Sequence, residues 1–265
     1  MSEPTFVIGG AQRSGTTTLY HLIDQHPEVY MAKPVWPEPK FFVRESLTAA
    51  DRDEYLAKWF SSTHDAKAIG EKSTSYLETI GSAERMKRWF PNMKAVFILR
   101  NPIERAISNY RYSRKNGLEK ESLDFALRNE KTRVESQRFP GVSGHPFAYV
   151  RRGRFIEFLD QYLQAFPREQ LLILLNDDLE SRPEQTCHEI YQFLGVDVDY
   201  KPSRLHERHN VHVPDDLRLS RETLDWLMEE FREPNRRLAE VLARDLSRWN
   251  CPTKSVLQLV DEPKA

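Results

Sequence analysis

Cysteine is scarce in this chain, with only Cys187 and Cys251 among 265 residues. They lie far apart and show neither CxxC nor finger spacing, which excludes a disulfide framework and a cysteine-built zinc site. Long apolar runs are missing too: nothing approaches the about 18 consecutive apolar residues that a membrane-spanning helix needs. Charge of one sign is also lacking, since 39 Lys+Arg stand against 40 Asp+Glu for a net charge of −1. The global balance therefore asks for no nucleic-acid or anionic-surface partner, and any anion site must be local. Glycine is thin as well, ten residues in all, so three of them within positions 9–15 mark a special turn. What is present is a core: 39% hydrophobic and 11% aromatic residues exclude a mainly disordered chain. The opening Met1-Ser2-Glu3-Pro4 has no basic stretch followed by an apolar one. With the two plain thiols, that sets the expectation of a cytoplasmic protein.

Thr5-Phe6-Val7-Ile8 followed by Gly9-Gly10 reads as a buried strand entering a glycine turn, and Leu19, Leu22 and Ile23 at helical spacing predict a helix directly after it. Val29-Tyr30-Met31 suits a short strand, and the prolines at 34, 37 and 39 impose a stiff irregular loop. Helices are predicted over 51–60 and 82–90, with a short strand at 66–70 between them. Ala95-Val96-Phe97-Ile98-Leu99 is continuously apolar, as a strand covered on both faces should be. Arg100 ends it. Asn101-Pro102-Ile103-Glu104 then supplies an N-cap, a proline at the first helical position and an early carboxylate, and Asn116-Gly117 stops that helix. Further helices are expected over 123–134, 155–166 and 183–194, a strand over 171–175, and a mostly helical remainder. Strands alternating with helices predict an α/β fold with a central parallel sheet flanked by helices, its ligand beyond the carboxyl ends of the strands. No repeat or flexible linker divides the chain, so 1–265 is expected to form a single domain.

Gly9-Gly10-Ala11-Gln12-Arg13-Ser14-Gly15-Thr16-Thr17-Thr18 sits between a predicted strand and a predicted helix. That geometry offers unpaired N–H groups and a positive dipole end to a phosphate-like anion. The Gly10 to Gly15 spacing matches a P-loop, but Thr16 stands where its lysine would be, and Arg13 brings the cation into the loop. A nucleoside triphosphatase also needs an acid after a buried strand to hold magnesium. The best strand ends instead in Arg100, and Asp177 is better read as a helix-capping residue.

These residues resemble the sulfotransferases that use 3′-phosphoadenosine 5′-phosphosulfate (PAPS). Gln12-Arg13-Ser14-Gly15-Thr16-Thr17-Thr18-Leu19 looks like the family's 5′-phosphosulfate loop, and Phe97-Ile98-Leu99-Arg100-Asn101-Pro102 through Ser108-Asn109-Tyr110 like its 3′-phosphate segment. Glu38-Pro39-Lys40-Phe41-Phe42 and Glu71-Lys72-Ser73-Thr74-Ser75-Tyr76 further resemble the branch of heparan sulfate N- and O-sulfotransferases, and Arg232-Glu233-Pro234-Asn235 with Trp249 echoes the carboxyl end. The resemblance implies one P-loop-like, nucleotide-binding sulfotransferase domain that takes PAPS, releases adenosine 3′,5′-bisphosphate (PAP) and requires no metal. Gln12, Arg13, Ser14, Gly15, Thr16 and Thr17 would hold the 5′ end, with Arg13 on the developing negative charge. Arg100 and Ser108 would take the 3′-phosphate, with Arg208 as a further cover. The resemblance makes Glu38 the general base, and Lys72 would stabilise the transferring group. Trp36, Lys40 and Tyr76 would meet an acceptor, a carbohydrate-containing or small molecule presenting a hydroxyl or amine.

From the residues alone, Glu38 is as readily an exposed loop carboxylate, Arg100 a surface ion-pair partner, Ser108 a solvated helix residue and Lys72 an ordinary lysine. The family loop often carries lysine where Arg13 stands. Arginine keeps the charge but is a poor proton donor, so an acid role does not transfer. His206, His209 and His212 at three-residue steps are weak evidence for a metal. Two rival functions remain: a P-loop kinase using ATP and magnesium, opposed by Thr16 and Arg100, and a non-catalytic nucleotide- or sulfate-binding module.

Overall fold

A computed structural model describes residues 2–63, 65–137, 139, 144–205, 207 and 216–260. By internal packing the chain divides into two compact units, Met1–Leu99 with Leu159–Val211, and Arg100–Phe158 with His212–Ala265.

The first unit is built on five strands: β1 (Phe6–Gly10), β2 (Val29–Met31), β3 (Ala68–Lys72), β4 (Lys94–Leu99) and β5 (Leu171–Leu175). All pair in parallel in the order β2-β3-β1-β4-β5. The chain builds the β2-β3 side first and then crosses β1 to lay down β4 and β5, so the strand order switches at β1. Loops leaving the carboxyl ends of β1, β3 and β4 thus open at the point where such sheets take ligands. Phe6 and Ile8 of β1, Val96 and Ile98 of β4, and Leu172 and Leu174 of β5 pack with Leu19, Leu22 and Ile23 of α1 (Thr16–Asp24). Cys187, Ile190, Tyr191 and Leu194 of α9 (Pro183–Leu194) join the same cluster. Each such aliphatic or aromatic side chain contributes about 1.5–3 kcal/mol by leaving water.

Two helices of this unit, α2 (Ala49–Trp59) and α3 (Ser82–Trp89), match the expected positions closely. Thr48 starts α2 with a capping box, its hydroxyl taking the Asp51 N–H while the Asp51 carboxylate takes the Thr48 N–H. The predicted strand at 66–70 is displaced. It runs through Glu71 and Lys72, paired with Val7 and Ile8 of β1. Two charged residues hid a buried strand end from a reading based on hydrophobicity.

The second unit is helical, with α4 (Pro102–Lys115), α5 (Leu123–Arg128), α6 (Glu130–Ser136), the start of α7 (Phe155–Ala165), α10 (Arg221–Leu242) and α11 (Lys254–Leu257). The Asn101 side chain caps α4 by accepting from Ile103 N at 3.0 Å and Glu104 N at 3.3 Å, as its sequence predicts. Ile103, Ile107 and Tyr110 of α4 pack with Leu123 and Leu127 of α5 and with Leu224, Leu227 and Phe231 of α10. The single helix expected over 123–134 is broken at Asn129, whose side-chain amide bonds the Phe125 carbonyl at 3.0 Å. Glu130 turns inward instead, taking the N–H groups of Val150 and Arg151.

Inside this unit Glu119, wholly buried, accepts two hydrogen bonds from Arg133 at 2.8 and 2.9 Å and one from the Tyr149 hydroxyl at 2.7 Å. Arg133 also lies 4.0 Å from the Phe147 ring centroid. Arg133→Met leaves that carboxylate buried without its counter-charge, so a loss of about 3–5 kcal/mol is expected by urea unfolding. A loss under about 1 kcal/mol would show that the Tyr149 hydroxyl and the N–H groups of Lys120 and Glu121 satisfy Glu119 without Arg133.

Candidate active site

The turn after β1 is shaped by glycine. Gly10 has φ +151°, and a Cβ there would fall 2.9 Å from Leu77 Cβ and 3.2 Å from the Thr74 carbonyl. Gly15, at φ +99°, starts α1 without a side-chain cap, and its Cβ would fall 2.5 Å from Asn176 Oδ1. Asn176 opens the short helix α8 (Asn176–Ser181) after β5, where its side chain packs on the loop and donates to Glu180 at 2.9 Å. Between the glycines, Arg13 also adopts a positive φ of 68°. Gly15 has no side chain to cap α1, so the positive end of that helix is open to an anion. Ser14 is fully buried and its hydroxyl has no hydrogen-bond partner, a state that costs about 1–3 kcal/mol unless an acceptor arrives. An oxyanion of a phosphosulfate fits both features.

At the carboxyl end of the neighbouring strand, Glu38 and Lys72 form an ion pair with both side chains only 1% exposed. The proline-rich loop carries Glu38 inward, so the exposed loop carboxylate allowed by the sequence is not what is found. Thr74 completes its surroundings: its N–H donates to Oε2 at 3.2 Å, and its hydroxyl lies 3.1 and 3.2 Å from the two carboxylate oxygens. The Lys72 ammonium also sits 4.1 Å from the centroid of the Trp36 ring, a cation over an aromatic face. Trp36 is itself 54% exposed. Lys40 is half-buried at a backbone φ of 54°, immediately before a turn at Phe41–Val43.

Behind this pair lies a second carboxylate the sequence reading passed over. Glu71 is fully buried and takes the Tyr76 hydroxyl at 2.5 Å, the Ser73 hydroxyl at 2.8 Å and the Tyr55 hydroxyl at 3.4 Å. Burial pushes its carboxyl up to about 7, against the opposing pull of the Tyr76 and Ser73 hydroxyls; the nearby Glu38 charge adds to the rise and Lys72 lowers it. Tyr76, expected at the acceptor, is wholly buried with its hydroxyl committed to Glu71. The signal that would have found Glu71 is the run Glu71-Lys72-Ser73-Thr74, polar at four consecutive positions of a buried segment.

Arg100, directly after β4, is engaged with Glu104: Nε donates at 2.9 Å and Nη2 lies at 2.9 Å from the same oxygen. Glu104 also accepts from Thr253 at 2.6 Å and Ser255 at 3.0 Å. Burial works to raise the Glu104 carboxyl, but the Arg100 charge and these hydroxyls outweigh it and hold it below the usual range. Ser108 lies half-buried on α4. Arg208, together with His206, His209 and His212, falls outside the described residues. Among those described, no group of three or more His, Cys, Asp and Glu side chains converges to hold a metal ion.

The sulfotransferase domain model matches residues 3–213. The chain belongs to the sulfotransferase domain family. It carries that family's sulfuryl-transfer domain, as the motifs implied. The chain is 24% identical to the membrane-associated sulfotransferase kil1 of Dictyostelium discoideum, covering 93% of this chain and 66% of that protein. It is 28% identical to human heparan sulfate glucosamine 3-O-sulfotransferase 3B1, covering 73% and 46%. The chain therefore spans under two thirds of these curated relatives. The crystal structure of a sulfotransferase from Alicyclobacillus acidocaldarius matches with a TM-score of 0.80 and 27% identity, over 95% of this chain and 100% of that one.

One expectation fails. A cytoplasmic location is contradicted by these relatives, one of which is membrane-associated by name. The described residues of this sulfotransferase-family chain contain no helix long and apolar enough to cross a membrane. That fact and two unpaired thiols do not fix a compartment, because peripheral association needs no spanning helix.

Glu71 also gives a pH test. Its raised value means that the folded state holds a proton that the unfolded chain releases from about 4.5 upward, so this residue makes stability fall as pH rises towards 7. In Glu71→Gln that fall is removed. The difference in melting temperature between variant and wild type should shift in the variant's favour from pH 5 to pH 7.5, and a constant difference would refute the titration.

Proposed function

We propose that this protein transfers the sulfuryl group of PAPS to a hydroxyl or amine of a carbohydrate-containing or small-molecule acceptor, with Glu38 as general base. The observation that carries the reading is the buried pair that Glu38, from the proline-rich loop, makes with Lys72, the last residue of β3. That strand pairs with β1, whose own end opens into the uncapped glycine loop.

The chemistry asks for little else. The acceptor lone pair attacks sulfur, the bond from sulfur to the 5′-phosphate oxygen breaks, and the electron pair leaves with PAP. The acceptor proton goes to Glu38. Its carboxylate offers about four lone-pair sites. The Lys72 ammonium, the Thr74 N–H and the shared Thr74 hydroxyl occupy three, which leaves one for that proton. Lys72, beside the base, is assigned to neutralise the transferring group. Gln12, Arg13, Ser14, Gly15, Thr16 and Thr17 are assigned to the 5′ end, Arg13 as a fixed positive charge on the leaving oxygen. Arg100 and Ser108 are assigned to the 3′-phosphate, with Arg100 exchanging Glu104 for the phosphate. The exposed face of Trp36 offers a sugar ring a platform next to Glu38, and Lys40 a cation for an acidic acceptor. Tyr76 serves this surface from behind through Glu71.

The test uses radiolabelled PAPS with N-desulfated heparin as acceptor. Glu38→Gln should lower transfer at least about a hundredfold, the range of general-base loss, while PAP binding stays within twofold. Full turnover in that variant would remove Glu38 as base. Arg100→Ala should weaken PAP about ten- to a hundredfold, the loss of charge-assisted bonds to a phosphate. An unchanged dissociation constant by calorimetry would take Arg100 out of the nucleotide site.

A further inference from the structure

The segment 71–74, the last two residues of β3 and the two that follow it, divides between two tasks. Lys72 and Thr74 go to the side chain of Glu38. Glu71 and Ser73 form the other pair, the Ser73 hydroxyl donating to Glu71 Oε2 at 2.8 Å. The same Ser73 oxygen accepts the Lys40 N–H at 2.8 Å. Lys40 is two residues beyond Glu38 and carries the backbone where the loop reverses, at φ 54° and ψ 31°, a left-handed conformation that residues with a Cβ adopt only when held. Glu71 in turn is fixed by hydroxyls from two further elements, Tyr55 of α2 and Tyr76 after β3. The loop is thus gripped twice, by its carboxylate at position 38 and by its main chain at position 40.

We infer that Glu71 and Ser73 are positioning residues for the base: Glu71 orients the Ser73 hydroxyl, Ser73 pins the Lys40 amide, and the pinned main chain sets where the Glu38 carboxylate stands. This rests on the assignment of Glu38 as base. Glu71 has no hydrogen bond to Glu38 and, fully buried, does not reach an acceptor. Its influence on turnover runs through the loop. The arrangement leaves no freedom for the serine: its proton is used on Glu71 and a lone pair on Lys40, so alanine removes both contacts and threonine keeps both.

The experiment compares Ser73→Ala, Ser73→Thr and Glu71→Gln with Glu38→Gln, using PAPS and N-desulfated heparin. Ser73→Ala and Glu71→Gln are expected to lower kcat about tenfold or more with KM for PAPS and the PAP dissociation constant within twofold, and Ser73→Thr to recover most of it. Hydrogen exchange at the Lys40 amide, measured without any acceptor, should accelerate at least tenfold in Ser73→Ala and return in Ser73→Thr. If Glu38→Gln is inactive while Ser73→Ala and Glu71→Gln turn over at the wild-type rate, the positioning role is overturned and the base assignment stands. If Glu38→Gln is fully active, the base assignment falls and the positioning role with it. Should Glu71→Gln fail to fold, Ser73→Ala and Ser73→Thr decide between these outcomes. Unchanged Lys40 exchange in Ser73→Ala overturns the inference in every case.

Discussion

A carboxylate and an ammonium withdrawn from water carry a desolvation penalty of several kcal/mol each, and their attraction offsets it only when the remaining donors and acceptors are satisfied. The Glu38–Lys72 pair meets that condition through Thr74 on one oxygen pair and the Trp36 ring on the cation. Much of the first unit can be understood as supporting this pair. The stiff loop delivers Glu38, β3 extends beyond its apolar stretch to deliver Lys72, and the parallel pairing of β3 with β1 places that end beside the glycine turn. A pair of this kind is poor value as a device for stability, since apolar side chains would serve the fold at least as well. Stability therefore does not account for its place at the carboxyl end of β3.

The fold was largely legible from sequence because its strands are short apolar runs with sharp ends. The strand 171–175, the helix 183–194 and the cap at Asn101 all follow from local rules that the tertiary structure does not oppose. Reading failed where burial and polarity part company. The end of β3 was missed because Glu71 and Lys72 are charged, yet each is buried with a partner from another element, Tyr55 of α2 for Glu71 and Glu38 of the proline-rich loop for Lys72, which no local rule contains. Likewise the break at Asn129 depends on Glu130 turning towards the main chain of residues 150 and 151, a contact across a sequence gap.

The site was legible to a different depth. The glycine loop announces itself by conformation, since Gly10 and Gly15 hold positions a side chain would obstruct. Glu38 and Lys72 were visible through family likeness, but their mutual contact was not, and neither was the second carboxylate at Glu71. Arg100 was open to two readings, an ion-pair partner or an anion ligand, and its guanidinium is occupied by Glu104. The two readings are compatible, because a forked cation that rests on a carboxylate is already oriented for a planar or tetrahedral oxyanion of the same charge sign.

That resting contact has a further consequence for Glu104. Its other oxygen is served by the hydroxyls of Thr253 and Ser255, at the start of the short helix α11. Loss of the guanidinium to a competing anion would therefore not strand a buried negative group, since two neutral donors stay behind. Glu104 thus keeps a hydrogen-bonded seat of its own at the start of α11, independent of the guanidinium that shares it.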